Sequence, residues 1–221
     1  DLAVIGPISL IFWSLTIMAL IKYLLMLSYA TSQGEGGMFA LLSLMRSEKG
    51  AFGPKTLMGA MLLALFGAAL LYGDGMITPA ISVLSAAEGL GEKSEALKQY
   101  VVPISIGIVI SLFLVQRHGT AKIGVAFGPI MVIWFLFLAF LGALHLGEAP
   151  RVLQALMPQY GISYLSGHGL HGIVIMGMVL LAVTGCEAMY ADIGHFGRAP
   201  LQKGWFFLVY PALTLNYLGQ G

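Results

Sequence analysis

Of the 221 residues, 58% are hydrophobic and 10% are charged, and the formal net charge is +1. Soluble domains carry about 25% charged residues, so the composition excludes an ordinary water-soluble fold, and the lack of a basic block excludes a nucleic-acid binder. Mean hydropathy is +0.90, and the apolar runs are continuous rather than alternating. That pattern predicts an all-α polytopic membrane protein and sets aside a membrane barrel.

Apolar runs of helix length fall at residues 5–29, 57–87, 101–115, 125–146, 170–190 and 205–218. A bilayer core takes about 20 helical residues, so about six transmembrane helices are predicted, some strained or tilted. The first run contains Lys22, whose long stem can snorkel to the interface. The next segment, residues 31–55, holds Gly34-Glu35-Gly36-Gly37 and then an apolar patch over residues 38–45. It predicts a connection carrying a short helix. Its glycines resemble a phosphate loop only superficially, because no Lys-Ser/Thr follows at the required offset.

The second run is the most informative. Within residues 72–89, Asp74, Thr78, Ser82 and Ser85 stand at i, i+4, i+8 and i+11, one face of a helix. Pro79 has no N–H, so the carbonyl of Gly75 loses its usual partner. The result is a line of oxygen atoms, which is how a protein replaces the water around a small cation. At the start of the fourth run, Gly124, just before it, and Gly128 form a small-xxx-small pair suited to helix packing. Residues 147–169 are rich in Gly, Pro and Tyr and read as an ordered outer loop. His168 and His171 lie three apart there, with no third metal ligand nearby.

The fifth run carries a second polar island, Thr184-Gly185-Cys186-Glu187-Ala188-Met189-Tyr190-Ala191-Asp192. Thr184, Glu187 and Tyr190 share a helical face at i, i+3 and i+6, and Gly185 weakens the helix between the first two. Unwound backbone inside a membrane is tolerated where it is buried in protein or lines a cavity. An acid at mid-bilayer costs roughly 2.5–3.5 kcal/mol, so Asp74 and Glu187 are hard to explain as passengers. Asp192, near Arg198 and Lys203, reads instead as a solvated or salt-bridged helix end.

The basic residues orient the chain. Lys22, Arg46, Lys49, Lys55, Arg117, Lys122, Arg198 and Lys203 fall on one side, and Lys93, Lys98 and Arg151 on the other. The positive-inside rule then makes residues 31–55, 117–122 and 192–203 cytoplasmic. Acids within the spans, with nearly all bases in loops or near span ends, point to a cation, a proton, or both as cargo. A carboxylate in apolar surroundings can exchange protons near neutral pH, so Glu187 can couple the two movements. The single cysteine, Cys186, excludes an internal disulfide. No enzyme signature, catalytic residue, cofactor motif or resident metal site is present. The chain opens at Asp1 without a basic leader and stops at Gln220-Gly221 beside an apolar helix, so it is expected to be part of a larger protein.

Several of these stretches, in order, closely resemble the KUP/HAK/KT potassium transporters, in the bacterial Kup-type style. They are residues 72–89 with their Gly-Asp-Gly-x-x-Thr-Pro-Ala-Ile-Ser-Val-Leu-Ser-Ala core, Gly34-Glu35-Gly36-Gly37, and Gln116-Arg117-His118-Gly119-Thr120. Residues 184–197 and the closing Leu213-Thr214-Leu215-Asn216-Tyr217-Leu218-Gly219-Gln220-Gly221 complete the set. The resemblance implies potassium import across the cell membrane, coupled to protons as symport by alternating access. It also implies a LeuT-like fold of the amino acid–polyamine–cation superfamily, with two inverted repeats of five helices and about twelve spans in all. The 221 residues would be a transmembrane fragment covering the second to seventh spans. The first span, with its own ion-ligand motif, the later spans and the cytosolic C-terminal region would be absent, and with them any homodimer interface. By motif match, Asp74, Thr78, Ser82, Thr184 and Glu187 would bind potassium, with Glu187 and Asp74 handling the proton. Two alternatives stay open from the residues: a cationic amine or amino-acid permease of the same superfold, and a non-transporting membrane scaffold whose polar groups only join helices.

Overall fold

The computed structural model describes residues 2–47, 52–93, 95–116, 120–191 and 193–221. Among them every named element is helical, and the one extended feature is an isolated bridge between Ser32 and Glu35. The chain divides into two compact units: residues 1–57 with 131–221, and residues 58–130. Lys49, Arg117, His118, Gly119 and Asp192 lie outside the described residues.

In the first unit, α1 (Leu2–Ser14) passes directly into a π-helical stretch (Leu15–Met26) and a 3-10 turn (Leu27–Tyr29). After a tight turn comes α2 (Met38–Ser47), the short helix expected in this connection. The second unit is built on α3 (Pro54–Lys93), which enters it at Met58, followed by α4 (Glu95–Lys98) and α5 (Val101–Gln116). Next, α6 (Thr120–Leu146) returns the chain to the first unit at Met131. A 3-10 segment (Pro150–Leu156), α7 (Pro158–Gly167), α8 (His171–Ala182), α9 (Cys186–Ala191), α10 (Ile193–Phe196) and α11 (Arg198–Gly204) follow. A second π-helical stretch (Trp205–Val209) leads into α12 (Tyr210–Gly219).

Among the described residues, three helices are long and apolar enough to cross a membrane: Ala3–Tyr29, Pro54–Gly91 and Phe127–Leu146. The other three predicted spans are also helical: α5 covers Val101–Gln116 of the described residues, and the run at 170–190 is split into α8 and α9. α3 is longer than its predicted span. Its 40 residues extend about 60 Å, twice the hydrocarbon thickness, so its ends project beyond the span predicted at 57–87.

The segment 147–169, expected to be an outer loop, is largely helical. Pro150 and Pro158 each occupy a first-turn position, where the missing N–H costs nothing and the fixed φ favours a helix. Val152 and Ala155 are buried against Ile5, Ile8 and Leu218. Ser9 Oγ donates to the Met157 carbonyl at 3.1 Å and Trp13 Nε1 to the Leu156 carbonyl at 3.2 Å. Glycine permits the closest approaches. A side chain at Gly142 would collide with the backbone of Leu215, so α6 beyond Met131 and α12 pack backbone to backbone.

A second apolar cluster joins Leu15, Ala19 and Leu24 of the first π-helical stretch to Val183, Cys186 and Trp205. Polar ties bracket it. Thr16 Oγ1 and the Tyr210 hydroxyl lie 2.8 Å apart, and Gln202 Nε2 donates to the Leu24 carbonyl at 3.2 Å. The exposed Lys22 ammonium rests 4.7 Å from the centre of the Tyr23 ring, and the Arg198 guanidinium 4.0 Å from that of Tyr29.

Candidate ion-handling segments

Asp74, Thr78 and Ser82 belong to the second unit, and Thr184 and Glu187 to the first. On α3, Thr78 Oγ1 donates to Asp74 Oδ1 at 2.7 Å, and both residues are half-buried. This is the i, i+4 pairing that the sequence spacing predicts. The hydroxyl directs its O–H toward the carboxylate and keeps its lone pairs, so the pair presents only acceptors to anything approaching it. Ser82 and Ser85 lie further along, exposed. The helix continues through Pro79 without interruption, leaving the Gly75 carbonyl without an intrahelical donor.

The second island is built differently. α8 ends at Ala182 and α9 begins at Cys186. Between them the backbone tightens, with Val183 N–H donating to the Leu180 carbonyl at 3.1 Å, and Gly185 takes φ +85°. That left-handed conformation is strained for any residue with a Cβ. The unwinding falls where Gly185 predicts it. The Leu180 and Leu181 carbonyls accept from the Val183 and Thr184 N–H groups, and the negative end of α8 comes just before the start of α9.

The break corrects one expectation. Thr184, Glu187 and Tyr190 do not share a helical face, because Thr184 lies in the unwound turn while Glu187 and Tyr190 lie on α9. Thr184 is exposed and its hydroxyl donates to the Leu181 carbonyl at 2.9 Å, again leaving oxygen lone pairs free. Glu187 is half-buried, and among the described residues its carboxylate makes no hydrogen bond or ion pair. Tyr190 is buried and its hydroxyl donates to the carbonyl of Ala30, a structural bond rather than an open ligand.

The Gly34-Glu35-Gly36-Gly37 turn, set aside as a phosphate loop, has a contact that sequence spacing could not reveal. It packs on α9 and α10 around Tyr190, Ala191 and Gly194. His168 Nδ1 lies 2.7 Å from the Tyr164 carbonyl, and no group of three metal ligands occurs among the described residues.

Acceptor-rich interruptions in apolar helices define a class of integral membrane proteins that handle cations. Comparison with known proteins narrows the class. Residues 1–221 match the model of the K+ potassium transporter integral membrane domain, and the chain belongs to that family. It is 53% identical over 219 residues to a probable potassium transport system protein Kup of Myxococcus xanthus, covering 99% of this chain and 34% of that protein. It is 51% identical over 219 residues to one of Pseudomonas syringae pv. tomato, with the same 99% and 34% coverage. A Kup 2 of Chromobacterium violaceum is 49% identical over 218 residues, covering 99% and 35%. The chain thus spans about a third of the length of these relatives. No solved structure matches it. The family is one of transporters, not enzymes.

Proposed function

We propose that this chain supplies the second to seventh spans of a potassium importer that works as a potassium:proton symporter by alternating access, on a LeuT-like inverted-repeat fold. The observation that carries the reading is the break at Val183–Gly185. It brings the carbonyl end of α8, the Thr184 hydroxyl and the Glu187 carboxylate, which is unpaired among the described residues, close together along an otherwise apolar run. Such oxygens replace the hydration shell of a weakly hydrated cation without a fixed positive charge to repel it. Asp74 and Thr78, already paired on α3, add acceptors along the ion's path, and Ser82 extends their line. In the outward-facing state the cation sits on the neighbouring oxygens while Glu187 takes up a proton; both are released together on the cytoplasmic side and the empty site returns, so one carboxylate links the two fluxes. The names of the relatives, each a potassium transport protein, favour potassium as the cargo. By the positive-inside rule, residues 31–55, 117–122 and 192–203 face the cytoplasm.

The test is rubidium entry into potassium-uptake-deficient bacteria that express the full-length protein, at acid and at mildly alkaline pH, with Glu187→Gln alongside. Uptake that rises in acid and is lost in the variant is the expected result. Undiminished uptake by Glu187→Gln would overturn the assignment. Uptake that needs an organic amine would favour an amine permease.

A further inference from the structure

The half-helix α9 has no helical continuity with α8, because the chain turns through Gly185 between them. Its orientation, and with it that of Glu187, depends on what it packs against. Cys186 at the start is buried in the cluster with Leu15, Ala19, Leu24 and Trp205. The far end rests on the turn that joins the first and second apolar runs.

That turn is pre-formed. Ser32 and Glu35 exchange both backbone hydrogen bonds at 2.9 Å, with Gln33 at φ +53° and Gly34 at φ +87° between them. Two successive residues with positive φ make the mirror-image turn that closes a two-residue hairpin, so its shape is set locally. Ser32 Oγ lies 3.0 Å from Ser43 Oγ, which ties the hairpin to α2.

Four contacts then join this hairpin to α9 and α10. The Tyr190 hydroxyl donates to the Ala30 carbonyl at 2.5 Å. A Cβ on Gly36 would collide with the Tyr190 carbonyl oxygen and stand 3.1 Å from its ring. Gly37, at φ +92°, lies against Ala191, and a Cβ on Gly194 would come within 3.4 Å of Glu35 Cα. Tyr190 is one turn beyond Glu187 on the same short helix, so whatever fixes Tyr190 fixes the carboxylate.

We infer that the hairpin at residues 30–37 is the seat of the α9 half-helix, and that Tyr190 is a positioning residue that holds Glu187 through it. The inference rests on the proposed role of Glu187 for its functional consequence, though not for the seating itself. Glycine at 36 is required by backbone contact, and the Tyr190 hydroxyl supplies a polar link. A shift of the hairpin shifts α9 as a body, so the loop between two spans is mechanically joined to the proton-handling group.

Two measurements on the full-length protein decide it. Hydrogen exchange of residues 186–191 reads the seating directly. Losing one hydrogen bond of about 1.4 kcal/mol should raise exchange there about tenfold in Tyr190→Phe, and Gly36→Ala should raise it further. Unchanged exchange in both variants overturns the seat. Rubidium uptake against pH reads the consequence. Tyr190→Phe should displace the acid-stimulated profile and raise the apparent KM while Glu187→Gln abolishes uptake. Faster exchange with an unmoved pH profile overturns the positioning role and leaves a packing contact. Full uptake by Glu187→Gln shows instead that the symport reading failed, and the exchange result still decides the seat.

Discussion

Two apolar runs of this chain each carry a carboxylate, a hydroxyl and a helix-weakening residue, yet the backbone treats them differently. α3 passes through Pro79 unbroken, whereas α8 stops at Ala182 and the chain unwinds through Gly185 before α9. Proline keeps φ helical and removes one donor, so it frees a carbonyl without turning the chain. Glycine at φ +85° redirects the chain and detaches the turn that follows. Asp74 is therefore placed by its own helix and Glu187 by its neighbours. The first pair is a local device, while the second depends on long-range packing.

The contrast can be broken experimentally, and the largest effect should come at the glycine. An L residue in the left-handed region costs about 1–2 kcal/mol, so Gly185→Ala should lower the thermal midpoint and reduce rubidium uptake by the full-length protein about tenfold or more. Near-normal uptake would show that the unwound turn is not needed. A smaller effect is expected at the hydroxyl of the unbroken helix. Thr78→Val deletes the 2.7 Å bond to Asp74, worth about 1 kcal/mol, and should weaken rubidium affinity about fivefold, with Thr78→Ser close to wild type. Equal behaviour of the two variants would remove the hydroxyl from the ion path. The smallest change should follow Pro79→Ala. It restores a donor to the Gly75 carbonyl in a helix that is already continuous, so thermal stability should rise and affinity fall only about twofold. A loss as large as that of Gly185→Ala would make the freed carbonyl a principal ligand.

Much of this was legible in the residue order. Continuous apolar runs place the helices because a lipid-facing chain must satisfy its backbone internally. The Asp74–Thr78 pair follows from helical spacing, and the break follows from Gly185. Other features were hidden for identifiable reasons. Gly, Pro and Tyr made residues 147–169 look like a loop, but the same prolines start helices there and Val152 and Ala155 find a surface on α1. Helical spacing grouped Thr184 with Glu187 and Tyr190 because it assumes an unbroken helix, which the left-handed glycine denies. The Gly34-Glu35-Gly36-Gly37 turn carried no sign of its partner, since Tyr190 is more than 150 residues away.

Local chemistry was thus settled along the chain itself: which segments avoid water, where a carboxylate meets a hydroxyl one turn on, and where the helix fails. Those outcomes depend on hydropathy and on φ preferences, which act over a few residues. The folded arrangement alone decided that Tyr190 is a tie rather than an open ligand, that Gly36 must lack a side chain, and that Glu187 rides on a separately held half-helix. Those outcomes depend on contacts between segments far apart in the chain, where excluded volume and one well-placed hydrogen bond choose among the orientations that a broken helix leaves open.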